Sequence, residues 1–313
     1  MIISNKIFSR ATGRLGLNRN FKDILIESLT AFMALLIIFI IVSILSVVII
    51  GGWPNLNLNF LTEFPKDGMT KGGIFPAIIG TVLMTLIMTV AAVPFGVITA
   101  IYLAEYANER SVVAKTIRFA VKTLAVVPSI IFGLFGLGFF IGFVGKNIDT
   151  LFNGGELKWG QPNILWASLT MALLTLPVVI VSVEEAIRTI PRDMREASLA
   201  LGATKWQTIK KVVIPGSVSG ILTGTILAIS RGAGEVAPIL FTGAAYFLSD
   251  LPSSLSDQFM SLGYHIYIMS TQSSDVDATL PIQFATTLVL LLLTFSLNTV
   301  AVIMRYRIRK RAQ

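Results

Sequence analysis

The sequence predicts an all-α integral membrane protein with six transmembrane helices, and three observations carry that expectation. Hydrophobic residues make up 54% of the 313 residues and charged ones only 13%, about half the charged share of an ordinary globular chain. Five stretches free of Asp, Glu, Lys and Arg (28–62, 72–104, 123–145, 159–183 and 278–304) exceed the ~20 residues a helix needs to cross hydrocarbon. These runs are continuously apolar, whereas a membrane β-strand would alternate with period two.

Taken in order, the first crossing is expected at 29–50. It begins too late and runs too long for a cleaved leader, so it reads as a permanent anchor behind a cytoplasmic arm at 1–28. The second is centred on 74–104, the third on 124–145 and the fourth on 163–183. The run 212–249 is interrupted only by Arg231 and Glu235 and is expected to form the fifth crossing, 217–247, with an ion pair inside the membrane. The sixth is expected at 280–304, followed by a basic tail at 305–313. Pro76, Pro94, Pro128, Pro177 and Pro238 lie in or near these spans. Each removes a backbone donor and invites a kink.

The basic residues distribute unevenly about this plan. Of the 25 Lys and Arg, twenty fall on the arm, the second and fourth connections and the tail. Only Lys66, Lys71, Lys146 and Lys158 fall on the other side. The positive-inside rule therefore predicts that both termini are cytoplasmic. The net charge of +8 reports topology and not a nucleic-acid partner. Cysteine is absent and His265 is the single histidine, which excludes disulfides, thiolate or His-cluster metal sites and a Ser-His-Asp triad. The outer connections are short, so substrate capture is expected to belong to another protein. The segment 250–279, with Phe259, Met260, Leu262, Tyr264, Ile266, Tyr267 and Ile268, is expected to lie along the outer interface.

Two features stand out within the membrane. Gly216, Gly220, Gly224, Ala228 and Gly232 recur every four residues, a smooth seam suited to close helix packing, either within the chain or against another subunit. Arg231 and Glu235 are spaced to share one helix face. Ionisable residues at membrane depth are costly and are functional by default, although a polar lock between subunits would use the same pair. In the functional reading Arg231 contacts an anion and Glu235 positions or gates it.

Between the fourth and fifth spans, Pro191 suits the first turn of a helix and Gly202 its left-handed C-terminal cap. Thr204 and Gln207 form a T-x-x-Q capping box for a second short helix expected to end before Pro215. The hairpin offers Leu199, Leu201, Trp206, Ile209 and Val213 for docking, ringed by Arg192, Arg195, Lys205 and Lys210. Within it, Glu196-Ala197-Ser198, Gly202 six residues after Glu196, and Ile214-Pro215 resemble the EAA signature of ABC importer permeases; Ser198 stands where the usual form has a second Ala.

Among those permeases the chain is most similar to the phosphate-transport type, PstA. The similarity lies in the stretches 72–81, Tyr102-Leu103-Ala104-Glu105-Tyr106, 124–130 and 231–242. The resemblance implies the six-helix, type I (MetI-like) permease fold, with a core at 72–304 and an EAA coupling loop at 190–215. There Glu196, Ala197, Gly202, Ala203 and Trp206 would engage an ATPase, and Arg231 and Glu235 would line the substrate pathway. It implies a phosphate importer of the inner membrane. The partners would be a PstC-like second permease subunit, two PstB-like cytoplasmic ATPases using ATP and Mg, a PstS-like phosphate-binding protein outside, and surrounding lipid. The chain itself is expected to be no enzyme and to carry no cofactor. It has no G-x-x-x-x-G-K-[ST] loop, and its one Gly-Lys pair, Gly145-Lys146, is followed by Asn, so ATP hydrolysis must come from another chain. Another oxyanion (sulfate, molybdate or phosphonate) and a non-transporting signalling or assembly subunit are the alternative readings.

Overall fold

The computed structural model describes residues 21–108, 110–273 and 275–311. The expected arm at 1–28 therefore lies mostly outside the described residues, with Lys6, Arg10, Arg14 and Arg19, as does the end of the tail. Two compact units, residues 1–50 and 51–313, are distinguished.

The described residues of the first unit belong to one apolar helix, α1, Phe21–Gly52, longer at its start than the expected 29–50. In the second unit, α2 (Leu58–Thr62) is capped by Asn57, whose side chain accepts from the Phe60 N–H at 2.8 Å. A two-residue hairpin, β1 (Pro65–Lys66) paired antiparallel to β2 (Lys71–Gly72), then leads to α3, Phe75–Ile101. The elements that follow are α4 (Val112–Val126), α5 (Ser129–Phe135), α6 (Lys146–Phe152) and α7 (Ile164–Arg188). After them come α8 (Arg192–Ala200), α9 (Lys205–Thr208), α10 (Ile214–Gly234), α11 (Leu262–Thr271) and α12 (Val276–Arg311). Among the described residues, six helical stretches are long and apolar enough to cross a membrane, including Ser129–Phe152 and Lys205–Gly234.

Three wide π-helical turns join these helices: Tyr102–Tyr106 after α3, Gly136–Gly145 between α5 and α6, and Ile209–Val213 between α9 and α10. The last of them changes the expected layout. The second helix of the hairpin does not stop before Pro215; it runs through the π turn into the fifth span, with the Ile214 N–H donating to the Ile209 carbonyl. Pro215 sits in the first turn of α10, where a missing donor costs least. The third span also starts later than expected, at Ser129, because Val127 and Pro128 are extended and separate it from α4. The residue before a proline is pushed away from helical geometry. At the other end α12 carries the basic tail as continuous helix to Arg311.

The core is built around α7, flanked by α3 and α10. Met84, Met88, Phe132, Ala167, Met171, Leu174, Ile239 and Phe259 form the largest buried cluster. The buried hydroxyls close on their own helices: Ser168 donates to Ile164 O at 2.7 Å, Thr170 to Trp166 O at 2.8 Å and Thr85 to Thr81 O at 2.7 Å. Such bonds let polar residues sit in an apolar medium without an orphaned donor.

The four-residue seam of α10 lies against α7 of the same chain. A Cβ at Gly216 would meet the Ile190 side chain, one at Gly220 would overlap the Ala186 methyl, and one at Gly224 would come within 3.0 Å of Ser182 Cβ. Ala228 is fully buried, and Gly232 abuts the Met88 thioether. Close backbone approach supplies the dispersion contact that lipid cannot drive hydrophobically. Gly220→Val should therefore lower stability by about 1–3 kcal/mol, the usual cost of overpacking, while Gly138→Ala, where a Cβ meets nothing within 4 Å, should be near neutral. Thermal unfolding in detergent measures both.

The segment 250–279 is partly buried: it contains α11, in which Leu262, Gly263, His265, Ile268 and Met269 are buried while Tyr267 is exposed. Its first N–H, of Leu262, donates to Thr81 Oγ1 on α3 at 2.9 Å, and α11 packs on α12. Of the apolar residues that suggested a lipid interface, Phe259, Met260, Leu262 and Ile268 are core residues, while Tyr264 and Ile266 are half-buried and Tyr267 is exposed.

Candidate functional site

The hairpin between the fourth and fifth spans is assembled from local signals. α8 starts after Pro191 and carries Asp193 in its first turn, favourable at the positive end of a helix dipole. It ends at Gly202, whose φ of +82° is the left-handed conformation that glycine adopts without strain. The Gly202 N–H donates to Leu199 O at 2.9 Å and the Ala203 N–H to Ser198 O at 3.2 Å, the paired bonds of a Schellman cap. The next residue opens α9 through the expected capping box: Thr204 Oγ1 accepts from Gln207 N–H at 3.3 Å and Gln207 Oε1 accepts from Thr204 N–H at 2.8 Å. Ser198, the departure from the EAA pattern, has its hydroxyl 2.9 Å from that of Thr208, tying the two helices together.

The tip of the hairpin is apolar and open. Leu201 is 90% exposed, Trp206 55% and Leu199 48%. Met194 is also exposed and joins them unforeseen. Ile209 and Val213, expected among the docking residues, are buried at 1% and 0%. The π turn rotates both toward the core, where Val213 packs with Val183, Ile187 and Ala228. Glu196 and Ala197 are exposed on α8, and Ala203 is half-buried beside the glycine turn.

The base of the hairpin is tied to the spans by a residue that spacing did not single out. Arg195, 19% exposed, donates from Nε and Nη2 to Glu105 Oε1 at 3.0 and 2.9 Å. It also donates to Ile187 O at 2.8 Å and to Ile190 O. Glu105 belongs to the π turn that ends the second span, and Lys205 Nζ stands 4.9 Å over the ring of its neighbour Tyr106. A second staple lies alongside: Glu184 accepts from Arg118 and Arg188, while Arg118 Nη2 donates to Leu103 O at 3.0 Å. Ala104, Glu105, Arg188, Arg192, Arg195 and Glu196 line an open cleft of about 380 Å³ between the hairpin and these helix ends.

Arg231 and Glu235 are brought together, on a shorter helix than expected. The fifth span ends at Gly234, not Phe247, and Glu235 is its C-cap in extended conformation. Gly232 and Gly234 weaken the helix, and Pro238 disfavours helical geometry at the preceding residue. Residues 237–243 form turns instead, with three N–H groups, those of Thr242, Gly243 and Ala244, converging on the Ile239 carbonyl. This irregular backbone is held inside the protein: Ile239 and Thr242 are fully buried, and Asn163 N–H donates to Thr242 O at 3.0 Å. Non-helical backbone is tolerated at membrane depth where protein surrounds it.

Arg231 Nε lies 3.7 Å from Glu235 Oε1, and their side chains are 40% and 27% exposed. The separation is that of an ion pair and not of a tight hydrogen bond. Because successive residues are offset by about 100° around a helix, Arg231 projects beside the seam face that Gly232 presses on Met88. An accessible guanidinium with a loosely held counter-ion can take an anion without first breaking a strong bond. Nearby, Ser230 Oγ lies 2.7 Å from Asn298 Oδ1 and Arg305 Nη1 donates to Thr223 Oγ1 at 3.0 Å, fixing α10 on α12.

His265 is buried at 2%, and its Nδ1 has no hydrogen-bond partner. Burial pushes its pKa down to about 4, so the imidazole is neutral at physiological pH. Among the described residues no group of three or more His, Cys, Asp or Glu is placed to hold a metal ion.

Residues 92–312 match the family model described as the binding-protein-dependent transport system inner membrane component. The chain is 32% identical over 273 residues to the probable ABC transporter permease protein YqgI of Bacillus subtilis, spanning 84% of this chain and 88% of that one. It is 33% identical over 245 residues to the phosphate transport system permease protein PstA of Pasteurella multocida (78% and 77%). The corresponding protein of Yersinia pestis is 37% identical over 226 residues (72% and 67%). In fold it resembles a chain of a bacterial alginate ABC transporter (TM-score 0.66, 17% identity, 93% of this chain and 98% of that) and one of the MetNI methionine transporter (0.55, 17%, 74% and 94%).

Proposed function

As a member of the binding-protein-dependent transport system inner membrane components, the chain is a multi-pass inner-membrane permease with the MetI-like fold, and we propose that it is the PstA-type subunit of an ATP-driven phosphate importer. The observation that carries the cargo is the 33–37% identity to phosphate-transport permeases over 226 to 245 residues.

On this reading both termini are cytoplasmic and the exposed hairpin tip (Leu199, Leu201, Trp206) seats in a partner ATPase, with Glu196, Ala197, Gly202 and Ala203 shaping the contact. ATP and Mg are used there and not in this chain. A related, PstC-like permease subunit completes the pathway; two PstB-like ATPases drive it and a PstS-like binding protein delivers phosphate from outside. Because α9 is continuous with α10 through the π turn, displacement of the hairpin is carried directly along the helix that holds Arg231 in its last turn. Arg231 then offers the anion transient stabilisation, while Glu235 holds the guanidinium in place and competes for it, so that binding stays weak enough for release.

The test is to reconstitute the complex with its binding protein and measure ATP hydrolysis and solute uptake with each anion in turn. Phosphate should stimulate hydrolysis and enter the vesicles. Stimulation by sulfate, molybdate or phosphonate instead would reassign the cargo, and hydrolysis without uptake of any anion would favour a signalling or assembly subunit.

A further inference from the structure

The π turn Tyr102–Tyr106 at the end of the second span is held by both helices of the hairpin. From α8, Arg195 reaches Glu105 through two nitrogens of its guanidinium. From α9, Lys205 covers the Tyr106 ring at 4.9 Å. The Glu105–Arg195 pair is 10% and 19% exposed. A charge pair this withdrawn from water is held far more firmly than a surface pair, and removing one partner strands the other. The hairpin thus has two outlets into the membrane. One is its covalent continuation into α10. The other is this non-covalent clasp onto α3.

The two outlets reconverge. From Tyr102 back to Met88 is fourteen residues of α3, about 21 Å of helix at 1.5 Å per residue. At that height the Met88 thioether packs against Gly232, one residue from Arg231. α10 arrives at the same point from the hairpin's other outlet. Resting on the transport reading above, we infer that Glu105 is a positioning residue for energy coupling: through Arg195 it makes α3 move with the hairpin, so that both walls beside Arg231 shift together. Without the clasp, α10 would move against a stationary α3, and the hairpin's displacement would be dissipated as sliding between Met88 and Gly232.

The test uses the whole complex in vesicles and reads phosphate moved per ATP hydrolysed. Glu105→Gln removes the charge and keeps the shape, and should lower that ratio at least fivefold; Glu105→Asp, which keeps the charge, should return it to within twofold of the unmodified complex. Lys66→Gln breaks an ion pair outside the cleft that Glu105 and Arg195 line, the exposed one with Glu63, and should leave the ratio within twofold. An unchanged ratio in Glu105→Gln overturns the inference, as does an equal loss in Lys66→Gln. Failure of the Glu105→Gln complex to assemble would make the contact one of assembly and overturn it too. Failure of the transport reading shows separately: the unmodified complex would hydrolyse ATP without moving phosphate, and the inference would fall with it.

Discussion

Arg231→Gln should abolish phosphate uptake while the complex still assembles. A hydrogen bond involving a charged group contributes about 1.5–3 kcal/mol. At about 1.4 kcal/mol per factor of ten, losing it slows passage of the anion roughly 10- to 100-fold, and loss of the positive charge itself adds to that. Folding should change little. The pair is 40% and 27% exposed and separated by 3.7 Å, a geometry whose stabilisation is about 0–1 kcal/mol at most. Glu235→Ala should also stop uptake, by a different route: the guanidinium loses the group that positions it and competes with the anion, so phosphate is held and not released. Labelled-phosphate uptake into vesicles, with assembly checked by co-purification, separates these outcomes. Normal uptake by both assembled variants would remove the pair from the pathway.

Gly202→Pro should detach or uncouple the ATPase. Gly202 holds a φ of +82°, whereas proline is locked near −65° and has no N–H. The substitution therefore removes the Gly202 N–H bond to Leu199 O and forces the turn out of the left-handed region. The second helix, capped by Thr204, is then re-aimed relative to the first, and Trp206 moves with it. Gly202→Ala provides the graded comparison. A Cβ there meets nothing within 4 Å, so the variant carries only the left-handed backbone penalty, roughly 1–2 kcal/mol, and should keep part of the activity. Co-purification of the ATPase and nucleotide hydrolysis by the complex report both. A fully active Gly202→Pro complex would exclude the hairpin as the coupling element.

Much of the hairpin was legible from sequence because its instructions are local. The Schellman glycine and the T-x-x-Q box each act over a few residues, and both form as read. The crossings were legible for a similar reason: a charge-free run of about twenty residues has few ways to satisfy its backbone other than a membrane helix. The boundaries were less so. Pro128 delayed the third span and Gly234 ended the fifth, and at both places backbone conformation overrode continuous hydropathy. Ile209 and Val213 looked like docking residues because periodicity does not anticipate a π turn, which resets the faces of the helix beyond it. Arg195 was visible only as one of several bases around the hairpin; its partner Glu105 is 90 positions away, a separation at which spacing carries no signal.

The chain's linear order by itself determined that this is a six-crossing membrane protein with a capped helical hairpin between its fourth and fifth spans, since hydropathy and turn chemistry act on neighbouring residues. Tertiary structure alone decided that the glycine seam closes on Ala186 and Ser182 of the same chain, that one face of α11 is buried against its neighbours, and that Glu105 clasps Arg195. Each of these depends on which surfaces meet once the helices pack, and in lipid that choice rests on shape and polar pairing between distant segments, because the surrounding hydrocarbon offers apolar faces no preference.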